Sequence, residues 1–394
     1  SNSAYYILGP EGEYLNFSGC GNTFNCNHPI ATELILDSLH YWAAEMRVDG
    51  FRFDLASILT RDTSGYPMLH PPLIEAISKD PILANCKLIA EAWDAAGLYQ
   101  VGDFPAFGRW AEWNGKYRDT IRRFIKGTPG QAGYAAEMIS GSQHLYGASR
   151  TPCHSINFIV AHDGFTLKDL VSYNRKHNEE NGENNHDGMN DNESWNCGEE
   201  GPSEDQKIVQ LRQRQMRNFH TVLMTSLGTP MLFMGDEYGH TRLGNNNAWA
   251  HDNDFNWFQW DLLKKNQDFF RFYKLMILFR KQEPLLKRDH FLNKEEIDWH
   301  GHLPLHPNWE EKSQFLAYTL KDKTQDSALY IAFNAVNERP SIQLPAPPTN
   351  KKWYRIVDTA LASPDDFVES PQKYFPIKDT YKMEAYSALI LKAF

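Results

Sequence analysis

The chain has 394 residues, of which 41% are hydrophobic and 13% aromatic, which excludes a disordered chain and predicts a large core in two domains. Its 40 basic and 50 acidic residues give a formal net charge of −10, which argues against nucleic acid or an anionic membrane surface as partner and favours a neutral substrate. Five irregularly spaced cysteines indicate free thiols in a reducing compartment.

Strands and helices are predicted to alternate along the first 290 residues. After a turn-rich stretch at 1–30, apolar runs of strand length end near Asp54, Glu91, Asn114, His162 and Gly235. Amphipathic periodicity predicts helices at 31–46, 72–77, 117–126, 205–227 and 268–281. Two of the strands are predicted to cover 156–161 and 230–234, and residues 178–200 are predicted to form an exposed polar loop.

The pattern changes after residue 290. Short strand-like runs at 314–320, 329–334, 353–358 and 386–391 replace the helical periodicity. The sequence therefore predicts two domains, a (β/α) domain at 1–290 and an all-β antiparallel sandwich at 291–394.

Three apolar runs end in an acid, at residues 48–54, 88–94 and 158–164. Because parallel strands of a (β/α) barrel end at one rim, Asp54, Glu91 and Asp163 are expected to lie on that rim. Carboxylates gathered there are the groups that glycosidic bond cleavage requires.

The surroundings of the acids predict different roles. Arg52 is two residues from Asp54 on the same strand, so it points to the same side and favours an ionised nucleophile. Glu91 ends an apolar strand near Trp93, which favours an acid/base. The alternative interpretations are an Arg52–Asp54 structural ion pair and a loop-capping Glu91. For His162 the alternative is a satisfied histidine in the core.

These segments carry a family resemblance. Residues 48–54, 90–94 and 158–164 resemble the segments that bear the nucleophile, the acid/base and the third carboxylate in the α-amylase superfamily. Motifs at 18–23, 110–115, 194–198 and 234–240 narrow the resemblance to isoamylase-type debranching enzymes.

The resemblance implies a role for each residue. Asp54 would be the nucleophile, Glu91 the acid/base and Asp163 the transition-state stabiliser of a retaining enzyme that hydrolyses α-1,6 branches of glycogen or amylopectin. Arg52 and His162 would be their partners, and weaker substrate-side candidates are Trp93, Trp113 and Asn114. No metal or organic cofactor is expected, because two carboxylates and water suffice.

The sequence departs from the family in the number of strands. About five strands are predicted, against eight in the complete barrel, and an Asp-x-x-x-Asn-His segment is not found before Asp54. We therefore expect a partial (β/α)8 TIM barrel followed by the sandwich. Alternatives to an active debranching enzyme are a non-catalytic glucan-binding subunit of a hetero-oligomer, an inactive truncated fragment, and another superfamily reaction such as α-1,4 hydrolysis or glucosyl transfer.

The expected partner is a branched α-glucan, glycogen or amylopectin, with no nucleic acid and no membrane, and assembly as a homo- or hetero-oligomer stays open. The expected location is the cytoplasm of a bacterium or the plastid stroma of a plant or alga, not the secreted space. No apolar stretch approaches the ~20 residues that a membrane helix needs.

Overall fold

The structure is a computed structural model that describes residues 3–394. The chain divides into two compact units, which are described separately below. The first unit contains the residues up to 115 together with 142–156, and the second contains 116–141 and 157–394.

Helices are interspersed with short strands up to residue 282. The α-helices of the described residues are α1 (Pro29–His40), α2 (Pro72–Lys79), α3 (Gly115–Lys126), α4 (Ala132–Ile139), α5 (Gln143–Tyr146), α6 (Leu167–Leu170), α7 (Gln206–Thr225), α8 (Trp260–Lys265) and α9 (Gln267–Gln282). The strands before residue 290 are β1 (Gly50–Phe53), β2 (Lys87–Ala90), β3 (Ala111–Trp113), β4 (Ser155–Asn157) and β5 (Thr229–Pro230). The later strands are β6 (Ile297–His300), β7 (Phe315–Asp322), β8 (Ser327–Asn334), β9 (Ser341–Gln343), β10 (Trp353–Asp358), β11 (Thr380–Lys382) and β12 (Ser387–Ala393).

The first unit is built on the parallel strands β1 to β4, which pair in sequence order. The register pairs Phe53 with Ala90 and Ala90 with Glu112, so the C-terminal ends of neighbouring strands lie level. Helix α2 places Leu73, Ile74 and Ile77 in the core below these strands. Asp54 and Glu91 each follow the last residue of their strand, and therefore lie on the same edge of the sheet.

The second unit contains the all-β part of the chain. Strands β6, β7, β8, β12 and β10 form one antiparallel sheet, and β9 and β11 form a two-stranded sheet. Strand β8 is buried on both faces: Leu329 and Ile331 belong to a core shared with α3, α4, α7 and α9, whereas Tyr330 and Ala332 pack in the core that β9 and β11 cover. This double burial explains the continuous apolar run in β8.

The predicted helices and strands are present, but the helix predicted at 31–46 is α-helical only to His40 and continues as a π-helix over Tyr41–Glu45, and two strands are shorter than expected. Strand β4 ends at Asn157, although the apolar run continues to Ala161, because buried Arg122 donates from Nε to the carbonyl of Ile159 (2.8 Å) and takes the place of a strand partner. Strand β5 ends at Pro230, and the residues after it enter a turn closed by the N–H of Asp236 on the carbonyl of Phe233 (3.2 Å). The short elements α4, α5, α8, β6, β9 and β11 were not predicted.

Buried histidines make the second unit sensitive to acid. His220 on α7 stacks on Tyr273, bonds through Nε2 to the Tyr273 carbonyl (3.0 Å), and its burial lowers its pKa to about 3. The unfolded state therefore binds more protons below pH 6.5, so the free energy of unfolding falls as the pH falls. From pH 7 to pH 5 we expect this residue to contribute a loss of about 2 kcal/mol.

Urea unfolding at the two pH values tests this expectation. His220→Gln should lose about that part of the pH dependence, whereas His306→Gln, at an exposed site, should retain it. Equal pH dependence in the two variants would contradict the assignment.

Candidate active site

One guanidinium contacts two of the predicted catalytic acids in the first unit. Arg52 Nη1 donates to Asp54 Oδ1 at 2.6 Å, and Arg52 Nη2 lies 3.0 Å from Glu91 Oε1. The contact with Glu91 is an ion pair but not a hydrogen bond, because the geometry at Arg52 Nη2 does not meet that of a hydrogen bond. Because both carboxylates contact the same planar group, the structure brings Arg52, Asp54 and Glu91 together, as their strand positions predicted.

The two acids differ in their exposure. The Asp54 side chain is 75% exposed, whereas that of Glu91 is 6% exposed. An exposed carboxylate can reach a substrate carbon, and a buried carboxyl can deliver a proton in a place shielded from water.

Glu91 is fixed by the segment that follows the candidate nucleophile. The Leu55 N–H donates to Glu91 Oε2 (2.7 Å), the Ala56 N–H donates to the Glu91 carbonyl (2.8 Å), and the Glu91 N–H donates to the Phe53 carbonyl (3.0 Å). Leu55 has φ +41 and ψ +48, a left-handed backbone conformation that residues other than glycine rarely adopt. This turn directs the Leu55 N–H toward Glu91, and backbone strain of this kind clusters at functional sites.

The weaker substrate-side candidates Trp113 and Asn114 are buried. Arg52 lies over the Trp113 ring at 4.1 Å from its centroid, a cation–π contact that helps to orient the guanidinium. Asn114 Nδ2 donates to the hydroxyls of Ser142 (3.1 Å) and Ser155 (2.9 Å). These contacts give both residues a supporting position, and their contact with substrate stays a prediction.

Trp93 stacks on Tyr99, with 5.8 Å between ring centroids and an interplanar angle of 12°. The turn between them is held by Asp94, whose Oδ1 accepts from the N–H groups of Ala96 (3.0 Å) and Leu98 (3.1 Å). Asp94 Oδ2 in turn accepts from Arg61 Nε (2.9 Å) and Nη2 (2.6 Å). Sequence reasoning missed Arg61 and Tyr99, since their partners lie 33 and 6 residues away and leave no local pattern.

His162 and Asp163 lie in the second unit. Their side chains are 61% and 66% exposed, with 3.9 Å between His162 Nδ1 and Asp163 Oδ1. Burial lowers the pKa of Arg122 to about 9, and the charges of Asp119, Asp163 and Glu193 oppose this lowering. Burial also lowers the pKa of Arg242, again opposed by Asp163 among other acids. Arg122 and Arg242 therefore each interact electrostatically with Asp163.

Over residues 3–394, no group of three or more His, Cys, Asp or Glu side chains is arranged to hold a metal ion. No helix among the same residues is long and apolar enough to span a membrane.

The chain is similar along its whole length to known proteins. The family described as isoamylase 1-3, C-terminal, matches residues 298–391. Isoamylase 3, chloroplastic, of Oryza sativa subsp. japonica is 54% identical over 100% of this chain and 50% of its own length. A glycogen operon protein GlgX homolog of Mycobacterium bovis is 42% identical over 99% of this chain and 57% of its own. The chain thus spans about half the length of the curated relatives it matches.

Solved structures show the same fold. A pullulanase from Bacillus acidopullulyticus superposes with a TM-score of 0.72 at 24% identity, over 98% of this chain and 43% of that chain. The fold is therefore that of the pullulanase structures, a (β/α) barrel followed by a β domain. The predicted fold class is confirmed. The chain is similar along its whole length to isoamylases and to a GlgX homolog, and residues 298–391 match the isoamylase C-terminal family, so the isoamylase-type resemblance that the sequence motifs indicated is confirmed.

Proposed function

We propose that the chain carries the catalytic acids of a retaining glycoside hydrolase that cleaves α-1,6 branch linkages of glycogen or amylopectin. The observation that carries the proposal is the guanidinium of Arg52, which contacts an exposed Asp54 and a buried Glu91 at once. A pair of adjacent carboxylates with different environments is what the two-step mechanism requires.

In this mechanism Asp54 is the nucleophile and Glu91 the acid/base. Glu91 protonates the glycosidic oxygen while Asp54 attacks the anomeric carbon, which gives a covalent glycosyl intermediate. Glu91 then takes a proton from the water that attacks this intermediate, so the configuration is retained. Arg52 holds the Asp54 carboxylate in place. Asp163 stabilises the transition state and His162 donates beside it.

The names of the relatives support a glucan as partner and a plastid as one location. The rice relative and Isoamylase SU1 of Zea mays (51% identical) are named chloroplastic, the bacterial relative belongs to a glycogen operon, and a pullulanase from Bacillus subtilis was solved with maltose. For this chain, a branched α-glucan, the plastid stroma or bacterial cytoplasm, and the domains 1–290 and 291–394 are part of the proposal.

The alternative is a non-catalytic glucan-binding subunit of a hetero-oligomer. Glucan binding without catalysis does not require an exposed carboxylate beside a buried one. The presence of Asp54, Glu91 and Arg52 in mutual contact therefore favours the enzyme.

The test is the release of reducing ends from amylopectin and from linear amylose, with this chain and its Glu91→Gln variant side by side. We expect release from the branched polymer only, and its loss in the variant, which lacks the proton donor. Equal release from amylose would contradict the linkage preference. Binding of amylopectin by this chain without release of reducing ends would favour the non-catalytic alternative.

A further inference from the structure

The main chain on both sides of Asp163 is bonded to one loop, residues 241–247, called here the asparagine loop. Arg242 Nη1 donates to the carbonyl of His162 (3.0 Å), and the Gly164 N–H donates to the carbonyl of Asn246 (2.9 Å). Gly164 has φ +81, a conformation that suits glycine. The exposed carboxylate of Asp163 therefore projects from a main chain that is fixed before and after it.

Asn246 is itself held by a buried amide network. It forms a reciprocal pair with Asn178: Asn178 Nδ2 donates to Asn246 Oδ1 (2.9 Å), and the Asn246 N–H donates to Asn178 Oδ1 (3.0 Å). Asn246 Nδ2 donates to the carbonyl of Met189 (2.8 Å) and to Asn192 Oδ1 (3.0 Å). The three asparagines are between 0% and 4% exposed. A satisfied buried network of this kind makes its surroundings rigid.

The remaining ends of the network are also anchored. Asp169, which is 0% exposed, accepts from the Arg242 N–H (2.8 Å) and from the Thr241 hydroxyl (2.5 Å), and so fixes the start of the asparagine loop. The ammonium of Lys176, which is 7% exposed, donates to the carbonyls of residues 186, 187 and 188 at 3.2, 2.8 and 3.2 Å. This cation orders the segment that precedes Met189.

We propose that Asn246 and Arg242 are positioning residues for Asp163, which they place by holding the peptide groups on its two sides. The proposal rests on the proposed function, in which Asp163 stabilises the transition state. Small displacements of such a group lower the rate more than they lower substrate binding, because its contacts strengthen in the transition state.

The first test measures hydrogen exchange of the Gly164 amide in the whole chain. Asn246→Asp keeps the shape but cannot donate to Met189 and Asn192, so we expect the protection of this amide to fall tenfold or more. The matched control is Asn190→Asp, which makes the same charge change at an exposed position of the neighbouring loop. Protection of the β8 amides reports that both variants are folded. Equal Gly164 protection in the two variants would overturn the proposal.

The second test uses Arg242→Met, which removes the donor to His162 and serves if Asn246→Asp does not fold. We expect kcat on a branched maltooligosaccharide to fall tenfold or more relative to the unaltered chain, with KM within threefold. If Arg242→Met only reduced the amount of folded protein, kcat per folded molecule would stay unchanged. An unchanged kcat per folded molecule would therefore overturn the proposal. If the unaltered enzyme shows no turnover, the proposed function fails, and Gly164 exchange in Asn246→Asp or Arg242→Met still decides whether these residues position Asp163.

Discussion

Glu91→Ala and Asp54→Ala are each expected to lower hydrolysis of a branched glucan by ~10³-fold or more, and the products formed with added azide should distinguish the acid/base from the nucleophile. Glu91→Ala still forms the covalent intermediate from a glucosyl fluoride, whose leaving group needs no acid. Azide then attacks this intermediate in place of water, so the product is the α-glycosyl azide, with retained configuration.

Asp54→Ala should give the opposite product. Here azide fills the space of the lost carboxylate and attacks the anomeric carbon directly, so the product is the β-glycosyl azide, with inverted configuration. The removed carboxylate is 75% exposed, which leaves room for the anion, and the Arg52 guanidinium that contacted it attracts a negative ion. The anomeric configuration is read by proton NMR.

The matched control is Asp49→Ala, which removes an exposed acid that precedes β1, at the opposite end of the strand from Asp54. It should hydrolyse the glucan at the rate of the unaltered enzyme and give no azide product beyond that of the unaltered enzyme. An α-azide from Asp54→Ala, or a β-azide from Glu91→Ala, would show that the two roles are reversed. Hydrolysis within tenfold of the unaltered rate in either variant would remove that residue from the mechanism.

The sequence predicted those parts of the site that follow from a strand's own geometry. An apolar run that ends in an acid places the acid at a sheet edge, and the period of two along β1 places Arg52 beside Asp54. The contact of Arg52 with Glu91 follows from the neighbouring parallel strands, whose register pairs Arg52 with Ile89. The functional roles came from the family resemblance, because spacing alone allowed a structural ion pair.

The parts that the sequence did not predict depend on segments brought together by folding. Asn246 and Gly164 are 82 residues apart, and no local pattern signals that one accepts from the other. The shortened strand β4 has a similar origin, since buried Arg122 on α3 satisfies the carbonyl of Ile159. Long polar side chains on one element can thus replace the main-chain partners of another, and periodicity in either element alone does not report it.

The largest effect on stability is expected at the buried pair of Arg61 and Asp94. The Asp94 side chain is 0% exposed and accepts two bonds from Arg61, whose guanidinium lies 3.8 Å from the centroid of the Phe17 ring. Asp94→Leu removes the anion and leaves a buried cation without its partner, so we expect the free energy of unfolding to fall by ~3–5 kcal/mol. Urea unfolding measures this change.

A double-mutant cycle with Arg61→Met separates the charge pair from the turn that Asp94 also holds. If the cost of Asp94→Leu comes mainly from the unpaired guanidinium, adding Arg61→Met should recover most of the stability, because a buried ion pair replaced by apolar groups is often near neutral. The part of the free energy of unfolding that the double variant does not regain measures the two hydrogen bonds from the N–H groups of Ala96 and Leu98, about 1 kcal/mol each.

Glu75→Ala, which breaks the surface pair with Lys79, is the control and should leave the unfolding midpoint unchanged. If Asp94→Leu and Arg61→Met lowered the free energy of unfolding additively in the double variant, the explanation by an unpaired guanidinium would be contradicted. In the double variant the charge is gone but the turn between Trp93 and Tyr99 has lost its anchor, so their stacking should loosen even where stability returns. Trp93 follows Glu91 by two residues, and the buried pair therefore links the stability of the first unit to the shape of the candidate active site.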